Sequence, residues 1–350
     1  MTNSKNAQSV IIASNLLIAV IAVFILWVLK DVLVPLAFAA ILAILVLPVC
    51  SFLERKGLPR TLAISFTILV VFALIVLLVT ILVGQIRTLD DVWPMMIQKG
   101  ENWLLYGQEF LSEKLNFRQD EQLTEGRKYL TEVFKSSTSI FSNALSNTTG
   151  FLASLALIPL YVFLMLLYRD FFKEFLFKLF DKVEDTKLNR VLEKIKAVAQ
   201  NYMSGLLLVI LIVGTLNTIS LLLLGIQNAF FFGFFAAVLV LVPYIGIAIG
   251  SILPIVLALI TKDSALYAFG VALSFGVIQF LEGNFITPYI VGSKVSINSF
   301  VAIVALILFG NLWGISGLVL ALPLTAIIKV IFDSVTKLKP WGFLLGDVES

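Results

Sequence analysis

The chain has 350 residues, of which 60% are hydrophobic and only 13% carry a charge. Soluble domains are about 25% charged, and a chain of this length cannot bury so much apolar surface in one core, so the composition excludes a soluble protein and predicts an all-α polytopic membrane protein. The net charge of +3 is scattered along the chain, which argues against nucleic acid as a partner.

Three uncharged runs near the start of the chain are each long enough to cross about 30 Å of hydrocarbon as a helix. They extend from Val10 to Leu29, from Val32 to Leu53 and from Thr61 to Gly84. We expect the first run to be a retained span, because it is longer than the apolar core of a signal peptide and lacks a small-residue cleavage site. Residues 1–84 are thus predicted to form three transmembrane spans.

The middle of the chain alternates between polar and apolar segments. We expect amphipathic helices outside the cytoplasm over residues 85–149, a fourth span over 150–168 and a charged amphipathic region over 169–200. In the last region, apolar residues recur with the spacing of one helix face: Phe172, Phe175, Leu176, Leu179, Phe180 and Val183. Such a helix could lie on the membrane surface or dock a partner, but we favour a helix that covers the protein's own cytoplasmic face.

Basic residues in short loops predict the orientation. Arg55, Lys56 and Arg60 outnumber Glu54 in the loop after the second span, which places this loop in the cytoplasm. Both termini are then cytoplasmic, including a tail over residues 334–350.

The region 201–333 contains two apolar tracts that are too long for a single crossing. Residues 230–260 would measure about 46 Å as one helix, and residues 299–328 are similar. Glycine and proline weaken a helix, and they interrupt both tracts. The predicted hinges are Pro243, Gly246, Gly250 and Pro254 in the first tract and Gly314, Gly317 and Pro323 in the second.

The two tracts resemble each other, and each follows another apolar span, so the second half reads as two copies of a span plus a broken helix. Each broken helix is either one long kinked helix or a re-entrant hairpin. We favour the hairpin, because broken backbone at membrane depth is tolerated chiefly where it lines a cavity. The copies would then form an inverted repeat, a recurring plan in transporters. The alternative is that the glycines only let helices pack closely.

Glu282 is embedded among the apolar segments of the second half, directly after the span 264–281. Ionisable groups in a membrane are costly and suggest function: Glu282 could accept a proton, pair with a cation or bind a polar substrate. It could equally mark a helix end. The other predicted members of a substrate or ion pathway are Asn217, Gln279, Asn284, Pro288 and Asn311. For each amide taken alone, a hydrogen bond between helices is the simpler interpretation.

The residue inventory argues against an enzyme. The chain has no histidine and a single cysteine, Cys50, which removes the commonest general base and metal ligand and excludes an internal disulfide. Catalytic and nucleotide-binding motifs are absent. We therefore expect no catalysis, metal or cofactor, and transport driven by a substrate or ion gradient.

Several stretches resemble a known family over nearly the whole chain. They are PLAFA at 35–39, RKGLPRTLA at 55–63, VPYIG at 242–246 and, most specifically, EGNFITP at 282–288 with the glycines and proline of the last tract. The sequence is similar to the autoinducer-2 exporter family of bacterial membrane permeases. The resemblance implies about eight membrane segments, export of a small hydroxylated signal or another solute, and a homo-oligomer, a pentamer. Some members are associated with sodium/proton exchange.

The leading hypothesis is a secondary transporter of the bacterial inner membrane, with membrane lipid and a small-molecule or ion substrate as partners. The second-half repeats would hold the site and move against the first-half spans to alternate access. A cation/proton antiporter that uses Glu282 is the second hypothesis. A membrane scaffold that transports nothing and binds a partner through the charged amphipathic helix is the third.

Overall fold

The described part of the chain is almost entirely helical. The computed structural model describes residues 2–87, 148–241, 246–291 and 297–347, and these ranges contain no strand. By length and composition, five of their helices can cross a membrane. These findings confirm the prediction of an all-α polytopic membrane protein. The predicted outer region, 85–149, lies almost wholly outside the described residues.

The three N-terminal helices are α1 (Thr2–Val28), α2 (Lys30–Arg55) and α3 (Arg60–Arg87). Many of their apolar side chains face outward: Leu69 is 67% exposed and Leu74 is 60% exposed. Helices with an apolar outer surface suit lipid surroundings, because lipid tails are as apolar as a protein core.

The next three helices cover the predicted fourth span and the charged region that follows it. They are α4 (Thr148–Leu167), α5 (Arg169–Leu179) and α6 (Asp185–Leu223). α5 is the predicted amphipathic helix, although the last two residues assigned to its apolar face lie in the following turn. α6 has 39 residues and measures about 58 Å, so it is far longer than one crossing. α6 continues without a break through residue 200, where the predicted charged region ends. Charged residues interrupt an apolar run in the sequence, but they do not end a helix.

The first long tract folds into two short helices, α7 (Ala229–Leu239) and α8 (Gly246–Thr261), which pack against each other. Gly246 lies against the carbonyl group of Leu239, and a Cβ on Gly250 would lie 2.7 Å from the Cα of Ala236. In both pairs, the residue farther along α8 contacts the residue farther back in α7, so the two helices run antiparallel. We call this helical pair hairpin 1. The predicted hinge Pro243 lies outside the described residues.

The second long tract is the helix α11 (Ser299–Ser334), which is interrupted at Gly314. The backbone of Gly314 has φ 63° and ψ −140°, a conformation that is open to glycine and closed to other residues. The helix therefore divides into a first arm, residues 299–313, and a second arm, residues 315–334.

The two arms of α11 pack against each other. Ala305, Leu306 and Ala321 form one buried cluster, and Gly317 lies against the carbonyl group of Phe309. In a straight helix, Ala305 and Ala321 would be about 24 Å apart, so their contact requires the chain to reverse at Gly314. The arms form hairpin 2, and the hairpin alternative describes both tracts.

The remaining described helices precede and follow hairpin 2 in the sequence. α9 (Ala265–Leu281) continues through a π-turn (Glu282–Ile286) into the short α10 (Thr287–Ile290). α12 (Lys339–Leu345) packs on α11. Asn298 joins these two helices: its side-chain oxygen accepts from the Val301 amide at 2.8 Å, and its side-chain nitrogen donates to the carbonyls of Leu344 at 2.8 Å and Gly346 at 2.9 Å.

The chain divides into two compact units. The first contains Met1–Val70, Ser154–Leu206 and Tyr289–Ser350, and the second contains Val71–Ala153 and Leu207–Pro288. Hairpin 2 belongs to the first unit, whereas hairpin 1 and Glu282 belong to the second. The two hairpins are thus assigned to different units, and each is described below within its own.

Candidate functional site

Glu282 opens a π-turn, in which the backbone N–H of Thr287 donates to the carbonyl of Glu282, five residues earlier. In an α-helix, positions five apart point about 140° away from each other around the axis, at about 100° per residue. The wider turn brings Thr287 onto the same side as Glu282. Single π-turns within α-helices are frequent at functional sites, and the sequence pattern did not reveal this one.

The carboxylate of Glu282 is buried, with 7% of the residue exposed. Gln279 Nε2 donates to its Oε2 at 2.9 Å, and the Thr287 hydroxyl donates to its Oε1. No ion pair of the described residues includes Glu282. Two neutral donors thus hold a carboxylate that is withdrawn from water, and an ionisable group at such a position in a membrane protein suggests a function.

The other predicted residues on this helix lie outside that cluster. Asn284 is exposed and donates through Nδ2 to the carbonyl of Phe280 at 2.9 Å. Pro288 is exposed on α10. Gln279 is therefore the predicted neighbour that the structure brings to Glu282, while Asn284 and Pro288 present polar and rigid groups at the surface of the second unit.

Asn217, on α6, is fully buried, with 0% exposed. Neither its Nδ2 nor its Oδ1 has a hydrogen-bond partner within the described part of the chain. An unpaired buried amide costs about 1–3 kcal/mol. A role as hydrogen-bonding glue between helices requires a partner, and the described residues supply none.

The surroundings of Asn217 are closely packed. Backbone atoms of Thr218 on α6 lie so close to Gly233 on α7 that a Cβ at Gly233 would come within 2.7 Å of the Thr218 nitrogen. Phe234 of α7 lies over Gly214 in the same way, with ring atoms 2.9 Å from the position of a Cβ. α6 therefore approaches hairpin 1 through a glycine on each helix.

The predicted hinges fall into two groups. Gly246, Gly250 and Gly317 lie where the two arms of a hairpin touch, and Gly314 is the turn of hairpin 2. Pro254 and Pro323 are buried inside α8 and α11, and the helices continue through them. Asn311 lies near the turn of hairpin 2, where it is exposed and donates to the carbonyl of Ile307 at 2.8 Å.

Comparison with known proteins identifies the group to which this sequence belongs. A family model described as "AI-2E family transporter" matches residues 16–337. The chain belongs to the AI-2E transporter family. The family resemblance predicted from the sequence is thereby confirmed, and the chain is a multi-pass membrane transporter.

Relatives of this AI-2E family member align along most of both chains. YrrI of Bacillus subtilis (strain 168) is 28% identical over 310 residues, which are 87% of this chain and 86% of YrrI. YueF of the same organism is 25% identical over 321 residues, 87% of this chain and 84% of YueF. The AI-2 transport protein TqsA of Escherichia coli (strain K12) is 23% identical over 322 residues, 91% of this chain and 90% of TqsA.

Two ion pairs join the end of α2 and the start of α3 to the start of α5 in this AI-2E family member, and sequence reasoning missed both. Arg169 donates to both carboxylate oxygens of Glu54, at 3.0 and 2.6 Å. Arg60 donates to Asp170 at 2.6 Å and to the carbonyl of Leu166 at 2.7 Å. The Glu54 carboxylate raises the pKa of Arg169, so the guanidinium stays charged. Because the partners of each pair lie more than a hundred residues apart, a local sequence pattern could not predict either ion pair.

A tryptophan ties the turn of hairpin 2 to α1. Trp313 Nε1 donates to the carbonyl of Leu26 at 3.0 Å. The sequence signal that could have indicated this bond is a tryptophan directly before the turn glycine, because an indole N–H is a hydrogen-bond donor only. The described residues contain no group of three or more acidic, cysteine or histidine side chains that could hold a metal ion.

Proposed function

We propose that the chain is a secondary transporter that exports a small, hydroxylated, polar solute of the autoinducer-2 type across the bacterial inner membrane. The observation that carries this proposal is the repeated unit of a long helix followed by a glycine-broken helical hairpin. Membrane transporters commonly place their sites at such broken helices. The name of TqsA as an AI-2 transport protein supports the solute class.

The proposed orientation has both termini in the cytoplasm. With this orientation, α6 leads outward and α9 leads back inward, so hairpin 1 enters the membrane from outside and hairpin 2 enters from the cytoplasm. Opposed broken helices give alternating access a structural basis, because each can line a path from one side. We also propose that the chain assembles as a homo-oligomer, a pentamer, as the family resemblance implies.

The polar groups of the second unit suit a hydroxylated solute. Glu282 offers a buried carboxylate acceptor, and Asn217 offers an amide donor and acceptor that the described residues leave unpaired. Each hydrogen bond to a charged group contributes about 1.5–3 kcal/mol, more than a bond between neutral groups. We propose that Glu282 and Asn217 contact the solute or ion, with Gln279 and Thr287 positioning the carboxylate.

A cation/proton antiporter is the second candidate, and one observation favours it. Glu282 is buried beside two neutral donors, and no described cation pairs with it. A membrane-embedded carboxylate of this kind gains most from binding a proton or a metal cation. The third candidate, a membrane scaffold, rests on the exposed apolar face of α5.

The test is Glu282→Gln in proteoliposomes of the full-length chain. Glutamine keeps the size of the side chain but removes the charge, so we expect ion-coupled export of autoinducer-2 to be abolished while expression is retained. Glu174→Gln, at an exposed position on α5, is the matched control and should transport normally. Unchanged flux and pH dependence in Glu282→Gln would remove this carboxylate from the mechanism.

A pH-sensitive dye in the same vesicles separates the candidates. Dissipation of a pH gradient on addition of sodium, without autoinducer-2, identifies the antiporter. If neither the solute nor ions cross the membrane, the scaffold is the remaining candidate. It predicts that a partner protein co-purifies through α5.

A further inference from the structure

A groove in the first compact unit is distinct from the Glu282 cluster. It has a volume of about 490 Å³, within the range of about 300–1,000 Å³ that small-molecule sites occupy. Its inner part is apolar and is lined by Ala40, Ala43, Ile44 and Leu47 of α2 and by Met165 of α4. The two alanines leave room beside α2 that larger side chains would fill.

The outer part of the groove is basic. Arg169 and Lys173 of α5 and Lys196 of α6 line it together with one carboxylate, Glu193. Arg169 is held by Glu54, and the Lys196–Glu193 pair is long, at 3.6 Å. Among the described residues, no ion pair includes Lys173. Lys173 and Lys196 therefore leave a positive charge available at an apolar groove.

The order of these two parts follows the proposed orientation. Gln200 Nε2 donates to the carbonyl of Ile44 at 2.8 Å, which fixes α6 against α2 at a point about 16 Å from the end of α2 at Arg55. Lys196 lies one turn nearer the start of α6 than Gln200, on the cytoplasmic side. The lysines thus lie toward the headgroup level, and the alanine-lined part extends into the hydrocarbon.

α5 itself has the surface of a helix that lies at a membrane interface. None of its residues is buried, and Phe171 is 64% exposed and Phe175 is 53% exposed. Amphipathic helices with aromatic and basic residues bury their apolar face at the boundary between headgroups and acyl chains. The groove that α5 borders is therefore placed where a phospholipid can reach it.

We propose that this groove binds an anionic phospholipid, with the phosphate between Lys173 and Lys196 and an acyl chain along Ala40 and Ala43. Basic pockets between membrane helices on the cytoplasmic side are suited to acidic headgroups. A small polar solute would gain little from the apolar part, and a zwitterionic lipid would leave the lysine charge unbalanced. The anionic lipid satisfies both parts.

The experiment is native mass spectrometry of the full-length protein, released from micelles that contain equal amounts of phosphatidylglycerol and phosphatidylcholine with identical acyl chains. We expect the wild type to retain phosphatidylglycerol preferentially. Each lysine near an acidic headgroup is worth about fivefold in binding, so Lys173→Gln/Lys196→Gln should lower this retention roughly 25-fold. Lys173→Arg/Lys196→Arg should restore it.

The matched control is Lys178→Gln/Lys182→Gln, which removes two exposed lysines from the same segment without touching the groove. It should retain phosphatidylglycerol as the wild type does. If the groove double variant loses its helical circular dichroism, the single change Lys173→Gln, at an exposed position, decides the matter with a fivefold loss.

Three results would overturn the proposal. The first is equal retention of the two lipids by the wild type, and the second is an equal loss in the groove and control variants. The third is displacement of the lipid by glycerol phosphate alone at millimolar concentration, because the site would then recognise a free phosphate rather than a phospholipid.

Discussion

Hairpins 1 and 2 hold their two arms together through the same kind of contact. In both, a glycine of the second arm lies against a backbone carbonyl of the first: Gly246 against Leu239 and Gly317 against Phe309. The turn of hairpin 2 is the single residue Gly314, whereas the described residues of hairpin 1 stop at Leu241 and resume at Gly246. The contact between the arms is thus the element that the two hairpins share.

The hairpins also differ in how they are fastened. Hairpin 2 is joined to α1 by Trp313 and to α12 by Asn298, so hydrogen bonds hold both its turn and its start. Hairpin 1 approaches α6 through Gly233 and Gly214, which allow close packing. Packing through glycine permits sliding more readily than a set of directional hydrogen bonds, so the comparison predicts different responses to substitution.

The largest expected effect comes from filling the shared contact. In Gly246→Ala and Gly317→Ala, the new Cβ meets a backbone carbonyl that cannot rotate away, so we expect each change to lower the free energy of unfolding by about 3 kcal/mol. Unfolding in mixed micelles measures this loss. Gly276→Ala is the control, because a Cβ there meets no atom within 4 Å. A hairpin variant as stable as Gly276→Ala would break the equivalence of the two hairpins.

A smaller effect is expected from a substitution at Gly314, the turn of hairpin 2. Gly314→Ala places a side chain at φ 63°, which costs about 1–3 kcal/mol. We expect both thermal stability and solute flux in proteoliposomes to fall. Gly57→Ala imposes comparable strain at φ 95° in the α2–α3 loop and should lower stability alone. Equal flux in the two variants would show that the turn of hairpin 2 does not matter for transport.

The smallest effect is expected where hairpin 2 begins. Asn298→Ala removes the helix cap of α11 and two hydrogen bonds to the end of α12, at a cost of about 1 kcal/mol. Faster hydrogen exchange of the α12 amides should report it. Asn311→Ala removes one exposed bond within its own helix and should leave α12 unchanged. Identical exchange in both variants would show that Asn298 does not hold α12 in place.

The sequence predicted the limits of the apolar helices closely and left the hairpins open, for one physical reason. Charge-free runs coincide with apolar helices, so α2 and α3 begin and end within a few residues of the predicted limits. Glycine and proline weaken a helix whether it kinks or reverses, so they left both alternatives open. The contact of Ala305 with Ala321 decides for reversal in hairpin 2, and it depends on three-dimensional packing.

In the candidate site, too, some residues could be predicted from the local sequence and others depend on three-dimensional structure. Glu282 and Gln279 could be predicted because a carboxylate and an amide stand out in apolar sequence. Thr287 could not, because its approach to Glu282 depends on the hydrogen-bond register of the π-turn. The ion pairs of Arg60 and Arg169 were equally hidden, since their partners come from distant parts of the chain.

The π-turn has a consequence for how this protein can diverge. A π-turn closes over one residue more than an α-turn, so a single-residue deletion within residues 283–286 would restore an ordinary helix there. Thr287 would then stand four positions after Glu282, about 40° from it around the axis at about 100° per residue, so its hydroxyl would stay on the side of the carboxylate. In an alignment, a homologue with a one-residue gap at this point and a threonine directly after it would therefore keep the two-donor carboxylate on an ordinary α-helix.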